Sequence, residues 1–422
     1  MRDFATSENP AVQAQLDRLA ALSLPQGRFG LETIRALMGR LGDPHRKLPP
    51  VFHVAGTNGK GSTCAFLRAM LEAQGCKVHV ATSPHLVRYN ERIRIAGELI
   101  SDALLAELLA EVLGAADGLN PSFFEVTAAA TFLAFARHPA DACVIEVGLG
   151  GRFDATNVLE APAVCGIASL GIDHEAFLLA PEPGTPTDPL ARIAFEKTGI
   201  AKPGVPLVTQ SYPPLAAQAI VEAAAKAGAP LYMRGRDWQA EAGLPPPRLG
   251  GAHQADNAAL AAAMLRHQDR IAVSDEAVHQ GVLAARWPAR MQRLGPGPLT
   301  ALAPGRTVWL DGGHNPDAGA AIARHFAEAP PLHLILGMLA NKEPGALLTP
   351  LGGKLASLSV VPVPGHAPHP PEAFAAHSAL PVRSFGDVDA ALRALPPEGD
   401  VLIAGSLYLA GEVLRLNREL PD

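Results

Sequence analysis

The 422-residue chain is too long for one ordinary hydrophobic core, so two domains are expected. Hydrophobic residues make up 48% of the chain, which is enough to fill such cores. The 35 basic and 41 acidic residues give a formal charge of -6, and no basic run is interleaved with aromatic residues. Nucleic acid is therefore not expected as a partner.

The N-terminal segment, MRDFATSENPAVQAQLDRLAAL, contains acidic residues and lacks the apolar core of a signal peptide. No later stretch has the uninterrupted apolar length of a membrane-spanning helix. Four cysteines stand far apart without C-x-x-C spacing, which favours reduced core thiols over disulfides or metal ligands: Cys64, Cys76, Cys143 and Cys165. We expect a soluble cytoplasmic protein with no membrane partner.

The first chemically informative segment is Val51 to Thr63, VFHVAGTNGKGST. Its apolar start fits a buried strand and residues 64–72 fit a helix, so the glycine-rich turn between them lies at a helix N-terminus. Unpaired backbone N–H groups and the positive end of the helix dipole favour anions there, and Lys60 adds a mobile positive charge. The segment predicts phosphate binding, with a hydroxyl of Ser62 or Thr63 facing Mg²⁺.

The spacing of this loop departs from the common pattern G-x-x-x-x-G-K-[ST]. Gly56 precedes Gly59 by three positions, and Gly61 separates Lys60 from Ser62. The alternative is a glycine-rich turn without a ligand, although these residue types together are poor choices for a simple turn.

Apolar strand-like segments alternate with Ala/Leu-rich helical segments, which favours a parallel sheet covered by helices. Ligands gather at the carboxyl ends of such strands. Polar clusters fall at four of these ends: Gly56–Ser62, Thr82–His85, Glu146–Asp154 and Asp173–His174.

Glu146 ends an apolar strand and opens a glycine loop, where a carboxylate is costly unless it is paired or bound to a metal. The alternative is a structural glutamate that caps a neighbouring helix. His174 follows Asp173 and is either a nitrogen ligand, a phosphate-orienting group or a structural histidine. Prolines between Leu178 and Leu190 predict a surface loop, and Lys197 beyond it has the composition of a solvated helix face.

The segment WPARMQRLGPGPL has the Pro/Gly density of a linker, so we place the domain boundary near Trp287, with domains 1–287 and 288–422. A second α/β pattern follows it. Asp311 ends one of its strands and begins DGGHNP, where such an Asp often meets a ribose hydroxyl or a metal. The alternative for Asp311 is an N-terminal cap for a helix starting near Pro316.

Taken together, the motifs resemble those of folylpolyglutamate synthase and dihydrofolate synthase, a branch of the Mur ligase superfamily. Their order along the chain is HVAGTNGKGST, TSPHL, VIEVGLGGRFDATN, DH, EKTGI, PARMQRL, DGGHNP, GMLANKE and GSLYLAGEVL. The resemblance runs from about Leu19 to Leu414, and several motifs are specific to folate ligases.

The resemblance implies an α/β fold: a P-loop ATPase domain of Mur-ligase type with a parallel-rich sheet, and a smaller Rossmann-like C-terminal domain. The first domain is expected to bind ATP and folate, and the second to carry the glutamate-ligase function. The implied activity is ADP-forming, Mg²⁺-dependent joining of L-glutamate to dihydropteroate, to the γ-carboxylate of reduced folates, or to both, through an acyl phosphate. A monomer is expected.

Several residues receive roles from the resemblance. The phosphate loop comprises Gly56, Thr57, Asn58, Gly59, Lys60, Gly61, Ser62 and Thr63. The metal set is Ser62, Ser83, Glu146 and His174. Lys197 corresponds to a lysine that is carbamylated in relatives, which makes it an anion near a metal, and it joins Lys60, Glu146 and His174 as the catalytic set. The remaining ATP-binding positions are Asn257, Arg290, Asp311 and His314, and their location in both domains implies domain closure during catalysis.

Folate recognition is implied for two stretches. Phe123, Phe124 and Glu125 belong to one, and FGLETIRALMGRLGDP is the other. Aromatic side chains there are suited to stack on a flat ring, and the alternative is a plain core helix.

Two departures from the family pattern stand out. His174 is followed by EAFLLAPEPGTPTDPL in place of a short T-x-x-L-G turn. Thr198 replaces the usual alanine, and we predict that its hydroxyl donates a hydrogen bond to the carbamate.

Two other functions remain open: a Mur-type ligase for a different acid, and a nucleotide-dependent switch without ligase activity.

Overall fold

A computed structural model describes residues 5–22, 30–241 and 243–421. The chain divides into two compact units: one contains Met1–Arg248 and Ala255–Arg286, and the other contains Leu249–Gln254 and Trp287–Asp422. Each unit is built on a largely parallel sheet with helices, so the predicted α/β class is confirmed. The separate functions expected for the two domains stay a prediction.

The first unit has, within the described residues, an eight-stranded sheet. Its strands are β1 (Val51–Ala55), β2 (Val78–Ala81), β3 (Ile93–Ile95), β4 (Glu98–Leu99), β5 (Ala142–Glu146), β6 (Val164–Ile167), β7 (Leu207–Thr209) and β8 (Leu231–Met233). They lie in the order β4-β3-β2-β5-β1-β6-β7-β8, with β3 and β4 antiparallel at one edge and the others parallel. All residues of β1 and β5 are buried, as expected for central strands of a covered parallel sheet.

Several helices of the first unit begin at a capping side chain. Pro189 follows the cap residue Asp188, whose carboxylate accepts a hydrogen bond from Ala191 N at 2.8 Å. The helices up to Ala284 are α1 (Pro10–Ala20), α2 (Glu32–Arg40), α3 (Lys60–Ala73), α4 (Asp102–Ala115), α5 (Phe123–Arg137), α6 (Glu175–Leu178), α7 (Pro189–Thr198), α8 (Pro214–Ala227), α9 (His253–Arg266) and α10 (Asp275–Ala284). The first two residues of α9 are assigned to the second unit. Phe29, which opens one predicted folate-lining stretch, lies outside the described residues.

The second unit contains a six-stranded sheet in the described part of the chain, ordered β13-β12-β11-β14-β10-β9. Its strands are β9 (Gln292–Arg293), β10 (Val308–Asp311), β11 (Leu332–Leu336), β12 (Leu355–Val360), β13 (Val382–Ser384) and β14 (Val401–Ala404). Its helices are α11 (Pro316–His325), α12 (Gly345–Leu351), α13 (Pro371–Ala375), α14 (Val388–Arg393) and α15 (Leu407–Asn417).

The linker predicted after Trp287 is wrong in part. Gln292 and Arg293 form an edge strand that pairs antiparallel with Leu310 and Trp309. Backbone pairing therefore overrides the Pro/Gly composition of this segment.

The four cysteines are free thiols, and Cys64, Cys143 and Cys165 are buried, so the predicted core thiols are confirmed. Across the described ranges, no helix combines the length and the apolar character needed to cross a bilayer.

The register of the first sheet places the predicted polar clusters side by side. Val54 of β1 lies opposite Glu146, and Ala55 lies opposite Ile167 of β6. Ala81 of β2 lies opposite Ile145. Because these strands are parallel, their carboxyl ends meet at one edge of the sheet, and the loops that follow them converge there.

Candidate active site

The glycine-rich loop after β1 leads directly into α3. Gly59 has φ +81°, in the left-handed region that favours glycine, and α3 begins at the next residue, Lys60. A Cβ at Gly59 would collide with the side chain of Asn257, which places Asn257 against the loop. Lys60 Nζ donates to the carbonyl oxygens of Gly56 at 3.2 Å and Thr57 at 3.4 Å.

Lys197 is buried at the same loop, with only 4% of its surface exposed. Its Nζ donates to Gly56 O at 2.9 Å, so Lys60 and Lys197 share one carbonyl oxygen. Burial, followed by the nearby charge of Lys60, lowers the pKa of Lys197 to about 7. The solvated helix face suggested by composition is therefore wrong, because α7 turns this position toward the phosphate loop.

Glu146 faces Lys60 from the end of β5. Lys60 Nζ lies 3.9 Å from Glu146 Oε1, and Ser83 N donates to Glu146 Oε2 at 3.2 Å. The carboxylate therefore has a cation and a backbone donor beside it, which offsets the cost of its burial. Ser83 and Glu146 are therefore neighbours, and their role as metal ligands stays a prediction.

A pocket lies between the phosphate loop, the glycine loop after β5 and the end of β6. It is lined by Gly56, Thr57, Lys60, Val147, Gly148, Leu149, Gly150, Asp173, His174, Leu178 and Lys197. His174 adopts left-handed backbone geometry at φ 55°, and its N–H donates to Asp173 Oδ1 at 2.8 Å. Three predicted catalytic residues, Lys60, His174 and Lys197, thus line one pocket.

A second pocket is lined in part by Glu146. It is lined by Ala81, Thr82, Ser83, Arg92, Phe124, Thr127, Ala128, Thr131, Phe132, Ile145, Glu146 and Thr156. A Cβ at Gly148 would strike the Phe124 ring, so this glycine lets the loop pass against the ring. The lining combines an aromatic surface with a few polar groups, as small-molecule sites do.

Of the three residues predicted to bind folate, only Phe124 lines this pocket. Phe123 packs edge-on against Tyr89, with ring centroids 6.2 Å apart, and lies beside the Arg92 guanidinium. Glu125 belongs to a capping box with Ser122, accepting from Ser122 N at 2.7 Å and from its hydroxyl at 2.8 Å. Folate contact by Phe123 and Glu125 stays a prediction.

The two hydroxyl residues at the start of α3 are both buried. Thr63 is fully buried, and its hydroxyl has no hydrogen-bond partner among the described residues. Ser62 is 2% exposed. The metal role of Ser62 and the phosphate role of Thr63 stay predictions.

The described residues contain no group of three or more His, Cys, Asp or Glu side chains able to hold a metal by themselves. Magnesium fits this edge of the sheet without such a group, because it is usually held by one or two carboxylates together with substrate phosphates and water. The metal role of Glu146 and the phosphate role of the glycine-rich loop stay predictions.

The predicted ATP-binding residues of the second unit cluster at the end of β10. Asp311 is buried, with Oδ2 accepting from Met291 N at 2.8 Å and Oδ1 from Gly313 N at 2.7 Å. His314 Nδ1 lies 3.0 Å from Gly312 O. A Cβ at Gly312 would contact the Arg290 guanidinium, so Arg290 lies in the same cluster.

Asp311 is not a helix cap, which corrects one of the two interpretations drawn from the sequence. Asn315 caps α11 instead, with its side-chain oxygen accepting from Ala318 N at 2.9 Å. Thr198 requires a second correction. Its buried hydroxyl donates to Ala194 O at 2.7 Å within α7 and is therefore not directed at the Lys197 amine.

Sequence reasoning missed Arg92 and Leu178 as lining residues. Arg92 is buried and follows the TSPHL motif by several residues, in the stretch RYNERIR, where no sequence signal distinguishes it from the other two arginines. Leu178 lies at the edge of the proline-rich loop, which the sequence predicts as surface.

Comparisons with known proteins give consistent results. No family model matches the chain. The dihydrofolate synthase/folylpolyglutamate synthase of Bacillus subtilis is 37% identical over 324 residues, which cover 70% of this chain and 71% of the relative.

Two solved structures extend the similarity over nearly the whole chain. A bifunctional folylpolyglutamate synthase/dihydrofolate synthase with Mn, AMPPNP and L-glutamate bound has a TM-score of 0.83 and 31% identity, covering 98% of this chain and 99% of its own. E. coli FolC in complex with DHPP and ADP has a TM-score of 0.83 and 30% identity, with 97% of each chain covered.

Proposed function

The chain belongs to the folylpolyglutamate synthase and dihydrofolate synthase family, and from that membership and the site geometry we propose that it is an ATP-dependent folate ligase. Its substrates are L-glutamate and either dihydropteroate or the γ-carboxylate of a reduced folate. The resemblance found in the sequence motifs is confirmed. ATP is available in the cytoplasm, where we place the activity.

The observation that carries this proposal is the proximity of two pockets through Glu146 and Lys60. Glu146 lines the pocket that contains Phe124, and its Oε1 lies 3.9 Å from the Nζ of Lys60, which lines the other pocket with His174 and Lys197. A carboxylic acid whose aromatic portion occupies the second pocket would present its carboxylate beside the phosphate loop. This adjacency suits phosphorylation of that carboxylate.

The reaction divides into two steps that both gather negative charge. A carboxylate oxygen of the acid attacks the γ-phosphate of ATP and releases ADP, giving an acyl phosphate. The amine of glutamate then attacks the carbonyl carbon, and phosphate leaves as the amide forms. Mg²⁺ supplies charge neutralisation at the phosphates, while Glu146, Ser62, Ser83 and His174 are the residues proposed to hold metal.

The protein's own contribution is positioning and fixed charge. We propose that backbone N–H groups at the start of α3 and the Lys60 ammonium bind phosphate oxygens, which is supported by the start of α3 at Lys60, directly after the glycine-rich loop. A free-amine Lys197 suits addition of CO₂: a nitrogen–carbon bond forms, one proton leaves the nitrogen, and an anionic carbamate results. Since the pKa of Lys197 is lowered to about 7, a large share of the amine is unprotonated near neutral pH.

In the second unit, we propose that Arg290, Asp311 and His314 contribute to nucleotide binding. Support comes from their clustering at the carboxyl end of a parallel strand, the place where α/β units bind nucleotides. Asn257, which abuts Gly59, belongs to the same proposal in the first unit.

A paired assay tests the function. Purified protein receives ATP, Mg²⁺ and L-glutamate together with dihydropteroate in one arm and tetrahydrofolate in the other, and ADP release and product mass are measured. Release of ADP with a mass gain of one glutamyl residue in either arm supports the proposal, and the pattern across both arms assigns the substrate. Release only with a cell-wall precursor would indicate a Mur-type ligase, and nucleotide binding without turnover would indicate a switch protein.

A further inference from the structure

Four charged side chains form a cluster beside the candidate active site: Arg152, Glu182, Arg192 and Glu196. Arg152 donates to Glu182 through Nη1 at 3.1 Å and Nη2 at 2.5 Å, and to Glu196 through Nε at 3.0 Å and Nη2 at 2.8 Å. Arg192 also contacts both carboxylates, at 3.2 Å from Glu182 and 3.0 Å from Glu196. Each arginine therefore meets each glutamate, and the four charges sum to zero.

The cluster is largely removed from water. The side chains of Arg192 and Glu196 are each 7% exposed, that of Glu182 is 16% exposed and that of Arg152 is 22% exposed. Breaking a pair in such surroundings leaves an uncompensated charge, which costs far more than the loss of a surface ion pair. Loss of the Glu182 charge is therefore expected to cost more than the loss of a charge in an exposed loop.

The cluster joins the segments that carry site residues. Arg152 ends the glycine loop that follows Glu146, whereas Arg192 and Glu196 belong to α7, which carries Lys197. Glu182 comes from the connection between His174 and α7. Thr185 closes that connection, donating through its hydroxyl to Glu182 O at 2.7 Å and contacting Arg192.

Main-chain contacts also join the glycine loop to the last turn of α7. Arg152 N donates to Glu196 O at 2.8 Å. A Cβ at Gly151 would lie 2.8 Å from the carbonyl oxygens of both Glu196 and Lys197. The glycine loop and the last turn of α7 therefore pack backbone against backbone, and a shift of either moves Lys197 relative to Gly56.

We propose that Glu182 is a positioning residue for Lys197, because it completes the cluster that fixes the glycine loop against the last turn of α7. The long proline-rich connection between His174 and α7 thereby orients Lys197. It takes the place of the short turn that is usual in the family. The effect on turnover rests on the proposed ligase function, whereas the effect on local structure does not.

Loss of the Glu182 charge has a defined consequence. Arg152 and Arg192 then share the carboxylate of Glu196, so the largely buried cluster carries one excess positive charge. Relief requires the glycine loop or α7 to move toward water. The phosphate loop is not part of the cluster, so nucleotide affinity is expected to change little.

The experiment compares Glu182→Gln, Arg192→Gln, Glu182→Asp and Glu182→Gln/Arg192→Gln with a matched control, Glu111→Gln. Glu111 forms a bidentate ion pair with Arg137 in the same unit, with N–O distances of 2.6 and 2.7 Å, but at a more exposed position. Amide hydrogen exchange of residues 147–152 and 189–199 is measured without ligands, followed by kcat, KM for ATP and the thermal midpoint.

For Glu182→Gln we expect exchange in both segments to rise about tenfold or more, with β2 unchanged as an internal reference. We expect kcat to fall roughly 10- to 100-fold with KM for ATP within about threefold, because misplacement of a catalytic group mainly affects turnover. Glu182→Asp should recover part of both effects. The double variant should lose less than the sum of its single losses, since the partners are coupled.

Three results would overturn the proposal: exchange and kcat equal to wild type in Glu182→Gln, an equal loss of protection in every segment, or the same effects in Glu111→Gln. If Glu182→Gln does not fold, Glu182→Asp and the charge-balanced double variant decide between the same outcomes. If the wild-type protein shows no ligation, the proposed function fails alone, because the exchange measurements need no substrate.

Discussion

Both sheets place polar residues at the carboxyl ends of parallel strands, but the two ends differ in how their charges are satisfied. At the end of β1, Lys60 and Lys197 converge on one carbonyl oxygen, and the pKa of Lys197 is lowered to about 7. At the end of β10, each oxygen of Asp311 already accepts a backbone N–H. At the first end, two lysine side chains lie close together and one of them is buried, which disfavours its charged form. At the second end, backbone N–H groups satisfy the carboxylate oxygens of Asp311.

The contrast separates two kinds of site. Groups with shifted pKa values in a pocket are typical of chemistry, whereas a carboxylate held by main-chain donors is typical of a fixed binding frame. Changes at the first end should therefore affect kcat, and changes at the second should affect KM for nucleotide and stability.

Lys197→Ala should give the largest effect. We expect ligation to fall by about a thousandfold or more, because a group that stabilises charge in the transition state is removed, while ADP affinity changes little. Turnover assays and calorimetric titration of ADP measure the two quantities. Partial rescue by a short-chain carboxylate would support the carbamate, and full activity of the unrescued variant would remove Lys197 from the mechanism.

The pH dependence of wild-type turnover should come next in size. Burial favours the neutral Lys197 amine, so below about pH 7 the amine becomes protonated and cannot add CO₂. We expect kcat at low bicarbonate to fall up to about tenfold per pH unit below that value. Between about 7 and the ordinary value of 10.5, the unfolded chain binds more protons at Lys197, so this residue's contribution to stability rises with pH.

A bicarbonate series at each pH provides the control for that profile. Because addition of CO₂ releases a proton from the amine, higher bicarbonate should shift the acid limb to lower pH. If the pH at which kcat falls does not change with bicarbonate concentration, the result would contradict a carbamate on Lys197.

Asp311→Asn should give a smaller effect of a different kind. An amide offers one acceptor oxygen in place of two, so Met291 N or Gly313 N loses its partner. We expect about 1–3 kcal/mol less stability and a raised KM for ATP. Thermal unfolding and initial-rate kinetics test this, and a fall in kcat as large as that of Lys197→Ala would erase the contrast between the two strand ends.

Thr198→Val should give the smallest effect. Its hydroxyl is bonded to Ala194 O inside α7, so valine of similar shape costs about 1 kcal/mol and leaves kcat unchanged. A clear fall in kcat, with the thermal unfolding midpoint unchanged, would support the hydrogen bond from Thr198 to a carbamate that the sequence predicts.

The sequence was sufficient for features with local signals. The strand, glycine turn and helix around Lys60 follow from apolar patterning and glycine placement, and the parallel sheet follows from the alternation of such segments. Glu146 was identified because a carboxylate at an apolar strand end is costly. Each of these inferences uses residues close together in the chain.

The features that were missed depend on distant pairs. The contact of Lys197 with Gly56 spans 141 positions, and the ion pair of Arg152 with Glu182 spans 30. No periodicity encodes such partners, so Lys197 had the composition of a solvated face and Glu182 that of a loop. Likewise, β9 forms only because β10 offers backbone groups at its edge.

The capping box at Ser122 and Glu125 has one more consequence. Helix ends fray, and Phe124 lies in the first turn of α5, where fraying would be greatest. The reciprocal hydrogen bonds hold the backbone of that turn, so the backbone position that carries the ring is fixed during folding, and the turn's conformational entropy is already lost before any ligand arrives. A flat molecule that enters the second pocket therefore meets a preorganised surface, and its affinity is not reduced by the cost of arranging that surface.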